Sequence, residues 1–249
     1  MLVGAALAVV SASGGQTVPS PHDAQPERPT VATHAGTVAP GWFEVESGIE
    51  VDHVSPGVSS LSTPTLLKFG VVSHLQFDLM VTTVRPSSAQ PLGFGDASIA
   101  VKWRLLDDAP LVGDFALQPS LKFPTGSPAR GTGTGTTDVS LLAISSHDLG
   151  PVALDINVGY TRRNTPGAAA NAMVWTVSTG TTVAGRWALA AELFGYPGFG
   201  QPASVGFLAG PTCAVRPWLV LDAGFIARVA GDQSPALYAG LTWNVGRLR

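Results

Sequence analysis

The sequence predicts an all-β protein, a transmembrane up-and-down antiparallel β-barrel of about 12 strands. Three observations predict it. Strand-like segments are long and alternate with period two. The connections between them alternate between tight and long. Charge is scarce: 12% of the 249 residues are charged, about half the usual share. Mean hydropathy is +0.26, yet no run approaches the ~18 apolar residues of a membrane helix. The net charge of −3 argues against nucleic acid as a partner. The single cysteine, Cys213, permits no internal disulfide and has no metal-ligand spacing around it.

The first element is the apolar run "LVGAALAVVSASGG". Its length suits a secretory segment cleaved near residues 13–15, so residues 1–15 are read as a signal peptide. No Lys or Arg precedes Arg28, so the usual positive n-region is not seen, and a disordered apolar tail is the alternative. Residues 16–41 are rich in Pro, Thr, Ser and Ala. They read as a flexible periplasmic lead-in. Residues 42–249 form the barrel, with no helical period from Trp42 onward.

Strands are expected near 42–52, 63–72, 74–84, 95–105, 112–123, 137–146, 151–163, 172–183, 186–195, 203–213, 217–229 and 235–246. Most run about 10 residues, the length of a tilted bilayer-crossing strand. In the first, Glu44, Glu46 and Glu50 share one face, opposite Phe43, Val45 and Ile49. Lys68 lies in the second. In the third, Asp78 faces away from Leu75, Phe77, Leu79 and Val81. In the fourth, Lys102 and Arg104 oppose Ile99, Val101 and Trp103, and in the fifth Asp114 and Lys122 oppose Phe115, Leu117, Leu121 and Phe123. Asp155 marks the seventh and Glu192, matched in parity with Arg186, the ninth. In the eleventh, Asp222 and Arg228 oppose Leu219, Leu221 and Phe225. The remaining segments follow from the same length and spacing. Pro119 and Pro211 fall inside strands, where each removes a ladder donor, and are expected to mark bulges.

The connections "VSH", "DDAPL", "SHDLGP", "AGR" and "VRPW" are tight. "HVSPGVSSLS", "RPSSAQPLGFG", "PTGSPARGTGTGT", "TRRNTPGAAAN", "GYPGFGQPAS" and "AGDQSPA" are long and polar. This alternation puts the tight turns and both termini on the periplasmic side of a bacterial outer membrane. Trp42, Trp103, Trp187, Trp218 and Trp243 then fall near the periplasmic ends, a depth that amphipathic aromatics favour. Parity alone does not say which face is inside. Strand length, loop alternation and the lack of charge for a soluble surface favour lipid on Leu75, Phe77, Leu79, Ile99, Val101, Trp103, Phe115, Leu117 and Leu121. Glu44, Glu46, Glu50, Lys68, Asp78, Lys102, Arg104, Asp114, Lys122, Asp155, Glu192, Asp222 and Arg228 then line a lumen.

No chemistry competes strongly with that reading. His22 and His34 lie in the lead-in, His53 begins a long loop, and His74 and His147 sit at tight turns. None stands mid-strand beside a serine at matching height, so a hydrolase is not expected. No two histidines are close in sequence, so no metal site is expected. The run "ARGTGTGTTD" lacks Gly-Lys-Ser/Thr and a following helix, so it is no phosphate loop. It reads as an extracellular loop able to fold into the pore. No cofactor is expected.

"STPTLLKFGVVSHLQFDLMV", "GFGDASIAVKWRLLDD", "LQPSLKFPTGS", "GTGTTDVSLLAISSHDLGPVALDINVGYTRR" and "LYAGLTWNV" resemble the bacterial transporter family named for the meta-pathway of phenol degradation. The resemblance spans about residues 60–246, and the "GFGD…KWRL" and "LKFPTGS" stretches carry most of it. It implies an outer-membrane barrel that helps small hydrophobic, often aromatic, compounds enter the cell, with no catalytic residues. The expected function is therefore passive passage of a small hydrophobic solute, in contact with outer-membrane lipid. A barrel of this size is narrower than large porins, so constriction and lumen charge would select. The charged residues could instead only plug and brace the interior, giving a structural or lipid-interacting barrel with a closed lumen. A soluble secreted β protein with the apolar stripe inside is the third alternative.

Overall fold

The computed structural model describes residues 20–55, 58–164, 167, 169–199 and 202–248; the expected signal peptide lies outside them. The strands are β1 (Trp42–Ser55), β2 (Val58–Val72), β3 (Leu75–Arg85), a two-residue β4 (Gly93–Phe94), β5 (Ala97–Ala109), β6 (Gly113–Phe123) and β7 (Asp138–Asp148). They continue with β8 (Val152–Arg162), β9 (Asn171–Ala184), β10 (Trp187–Tyr196), β11 (Ser204–Arg216), β12 (Leu219–Ala230) and β13 (Ala236–Arg247). Every neighbouring pair is antiparallel, and the pairing of β1 with β13 closes the sheet. The result is a 12-stranded up-and-down barrel with β4 as a short addition beside β3.

The staves run from 10 to 15 residues, and β1, β2, β5, β7, β9 and β11 are longer than the expected segments. β1 and β2 extend into "HVSPGVSSLS", where His53 pairs with Ser59 and Ser55 with Val58. That connection is a tight hairpin and not the long loop expected, because its alternating Ser and Val residues continue the ladder. β5 likewise runs on through Asp107 and Asp108. The other long connections stand, and one carries a short 3₁₀ turn, Pro128–Arg130. The expected bulges at Pro119 and Pro211 are absent. Pro119 keeps register opposite Leu141, and Pro211 opposite Leu189. Both prolines are exposed, and the ladder continues without a register shift on either side of them.

The single-layered sheet has two contrasting faces. Val101, Trp103, Val139, Leu141, Ile156, Val158, Leu189 and Leu237 are exposed apolar residues. Alternating with them, Lys102, Ser140, Asn157, Ala190 and Ala236 point the other way. The "GFGD" and "PTGS" stretches meet at the long-loop end. The Asp96 carboxylate accepts bonds from the Gly126 and Thr134 N–H groups at 3.0 and 2.9 Å and from Lys122 Nζ at 3.1 Å. Burial alone would raise the Asp96 carboxyl, but these donors outweigh it and hold it below its ordinary value. The loop after β6 is thereby tied to the start of β5, and it packs against Gly93 and Pro86.

Candidate functional site: a lumen occupied by the amino-terminal segment

Residues 20–41, expected as a flexible lead-in, fold into the barrel. Their path can be followed from bond to bond. At the tight-turn end, the His22 Nε2–H donates at 3.0 Å to the Asn244 carbonyl, and the ring stacks on Trp218 with centroids 5.9 Å apart. Gln25 N–H donates to Glu44 at 2.8 Å, and Glu27 and Arg28 N–H donate to the two oxygens of Glu46 at 2.7 and 3.1 Å. Val31 and Ala32 N–H donate to the two oxygens of Glu192 at 2.7 and 2.8 Å. The chain then turns back. Thr33 exchanges two bonds with the Asn157 amide, at 2.8 and 2.9 Å. Ala35 N–H reaches Ser146 and Val38 N–H reaches Gln76, each at 2.8 Å. Gly41 rejoins the wall on Gly70, at 2.7 Å, where β1 begins.

The segment forms no helix or strand of its own, so its backbone donors need partners from outside. The wall supplies them as carboxylates and amides whose inward spacing the strand period fixes. Ionised groups hold the other side of the segment. Lys68 Nζ sits 2.6 Å from Glu44 and 2.5 Å from Glu46. It also donates to the Gln25 carbonyl. Lys102 is bonded to Glu27, to Thr33 at 2.7 Å and to the His34 carbonyl at 3.0 Å. Lys68, Lys102 and Glu44 are wholly buried, and buried charges persist only when paired and hydrogen-bonded. Burial would raise the Glu27 carboxyl, but the Lys102 and Lys68 ammonium groups and His34 outweigh it and hold it well below its usual range. Burial and the nearby Lys102 push the His34 imidazole down to about 4.

Arg28 is seated by what the wall lacks. Gly48 of β1 pairs with Gly240 of β13, which pairs with Asp222 of β12. The two missing side chains leave a slot filled by the Arg28 guanidinium, which reaches both Asp222 oxygens at 3.1 and 3.2 Å. A Cβ on Gly48 would stand 2.5 Å from the guanidinium carbon.

The predicted site residues divide by depth. Glu44, Glu46, Lys68, Asp78, Lys102, Glu192 and Asp222 are buried, and all but Asp78 bond or pair directly with the segment. Asp78 accepts from Gln76 and Gln118. Glu50, Arg104, Asp114, Lys122 and Asp155 are half-buried. Arg104 pairs with Asp107 and Asp114, Lys122 with Asp96 and Asp138, and Asp155 accepts from Ser146. Arg228 is exposed and donates to the Gln233 carbonyl at the rim. On the other face Val101 and Trp103 are exposed, and Leu75, Phe77, Leu79, Ile99, Phe115, Leu117 and Leu121 are half-buried. Sequence reasoning missed Gln76, Ser146, Asn157 and Asn244, which bond the segment. Their parity with charged neighbours was the available signal, since Gln76 is two residues from Asp78 and Asn157 two from Asp155.

Two cavities lie along the lumen, and the segment lines one of them. One, of about 510 Å³, lies at the long-loop end and includes Asp52, Arg163, Met173, Tyr196 and Phe199 in its lining. The other, of about 690 Å³, runs from the tight-turn end beside the segment, past Arg104, His147, Asp155 and Ala190 to Arg28. An apolar cluster of Phe194, Leu208, Ile226, Ala236 and Tyr238 covers the inner wall of β10 to β13. Among the described residues no group of side chains is arranged to hold a metal ion.

Solved structures share this fold. The crystal structure of the COG4313 outer membrane channel from Pseudomonas putida F1 matches with a TM-score of 0.63 at 15% identity, over 84% of this chain and 97% of that one. The NanC porin gives 0.57 at 11% identity, over 82% and 100%. The KdgM porin gives 0.55 at 8% identity, over 80% and 98%. No curated protein matches. Residues 26–243 match the family described as "Putative MetA-pathway of phenol degradation", a span that takes in most of the lumenal segment and the barrel, and the chain belongs to that family.

Proposed function

We propose that the protein is a passive outer-membrane channel for small hydrophobic or aromatic compounds, with both termini periplasmic. The observation that carries this reading is the pair of cavities along the lumen of a closed barrel, the outer one bordered by Tyr196 and Phe199 together with Asp52, Arg163 and Asn171. The apolar lining of β10 to β13 supports an apolar solute, because such a wall strips water from whatever crosses it. In this reading the buried charged residues named above line the lumen, and the exposed stripe through Val101 and Trp103 meets lipid. The solved relatives include a protein described as an outer membrane channel, and the match supports the channel reading by fold.

The test is uptake of a fluorescent naphthylamine by cells expressing the protein, with conductance of the purified barrel in planar bilayers. Faster uptake than in empty-vector cells supports the channel. Unchanged uptake with no current under any voltage sinks it. A second reading has one observation in its favour: the locks on residues 25–38 are numerous and buried, as a closed structural barrel would have them. That second outcome would select it.

A further inference from the structure

The two cavities share no lining residue, and one packed layer separates them. Along β10 the inner cavity reaches Ala190 and the outer one begins at Tyr196. Glu192 and Phe194 lie between, each 2% exposed. Along β9 the inner cavity reaches Ser178 and the outer one Met173, with buried Thr176 between. Along β11 the interval holds buried Leu208, and along β8 it holds buried Asn157. The turn of the lumenal segment, Ala32 and Thr33, completes the layer.

The segment is held differently on its two sides. On β2, β5 and β12 it is held by ionised side chains, Glu27 on Lys68 and Lys102 and Arg28 on Asp222. On β8 and β10 it is held only through its backbone, by Asn157 and Glu192. Freeing those four bonds releases the turn from that wall and leaves the ion pairs as a pivot. The inner cavity lies on the same side, where Gly180, Ala188 and Ala190 take up little room.

Resting on the channel reading above, we propose that the route between the two cavities runs along the β8–β11 face, and that Glu192 and Asn157 are its gate residues, pinning the 31–33 turn across it. What passes is a small, weakly polar molecule. The layer is bordered by aromatic rings laid over bare backbone, Phe194 over Gly206 and Tyr238 over Gly224. Glu192, Thr176 and Asn157 also stand in the layer, so small ions can follow the opened route at a low rate and current reports its opening.

The test is single-channel recording of the full-length chain, wild type against Glu192→Ala/Asn157→Ala. Heat-dependent gel migration checks that both are folded barrels. Removing hydrogen bonds to a buried carboxylate and amide should raise the open fraction about tenfold or more. Glu192→Gln keeps one acceptor and should fall between. Adding Ala190→Trp to the double variant should block the gained current, because it fills the inner end of the route. A wild type that conducts, with the double variant identical to it, overturns the gate and leaves the channel reading standing. Extra current that Ala190→Trp does not reduce overturns the route. Folded barrels that never conduct, wild type and variants alike, overturn both.

Discussion

Gly48→Ala adds one methyl group to β1 and tests how the lumenal segment is seated. In a strand interior this change ordinarily gains roughly 0.5–1 kcal/mol, since glycine pays more backbone entropy than alanine. Here the new Cβ would stand 2.5 Å from Cζ and Nη2 and 2.7 Å from Nη1 of Arg28, closer than any carbon tolerates. The guanidinium must leave its slot. Asp222, whose side chain is 2% exposed, is then stranded. Breaking a buried pair from one side costs about 3–5 kcal/mol. Arg28 is 18% exposed and can find water, so the net loss of seating is nearer 2 kcal/mol, roughly thirtyfold in the seated-to-released ratio. The assay is the rate at which a maleimide labels Ala32→Cys, with buried Cys213 replaced by alanine. Ala32 is 2% exposed when seated. Gly48→Ala should speed labelling about thirtyfold, and Gly240→Ala should do the same, its Cβ falling 2.4 Å from Arg28 Nε. In an Arg28→Ala background Gly48→Ala should have no further effect. Equal labelling rates with and without Gly48→Ala, or an undiminished effect in that background, would refute the slot.

Val101→Arg should block assembly, since an arginine near the bilayer midplane costs about 2–4 kcal/mol; normal heat-modifiable barrels in the membrane fraction would show that this face does not meet lipid. His34 is held down to about 4 in the seated segment against an ordinary value near 6.5. The released state therefore binds the proton more readily, and seating should weaken as pH falls from about 6.5 toward 4. Glu27 stays ionised there, so its pairs with Lys68 and Lys102 persist. Labelling of Ala32→Cys should quicken over that window and His34→Gln should flatten the profile, whereas a profile unchanged by His34→Gln would assign the effect elsewhere. Asp96→Asn removes the charge that holds Lys122 and two loop N–H groups. It should make residues 124–137 sensitive to protease while the barrel still migrates as folded, and an equally resistant loop would refute the tie.

The up-and-down order and the approximate strand positions were legible in the chain, because period two is local. Glu44, Glu46 and Lys102 declare a face through their immediate neighbours, and one face can differ from the other only if its surroundings do. The prolines misled for a reason just as local: Pro119 and Pro211 lose one donor each, and the rest of the ladder holds register without it. What filled the lumen was not legible. Residues 20–41 have no period and three charged groups, Asp23, Glu27 and Arg28, a pattern that reads as linker. Their order comes from partners far along the chain, Asn157 for Thr33 at a separation of 124 residues and Asp222 for Arg28 at 194. Only closure of the barrel brings β1 beside β13, and so sets Gly48, Gly240 and Asp222 at one height to form a slot. Local alternation along the chain sets a two-faced sheet with charge on one side. The tertiary structure decided that this charge faces a buried segment of the same chain, because desolvated carboxylates and ammonium groups take the nearest donors and acceptors that the closed wall encloses.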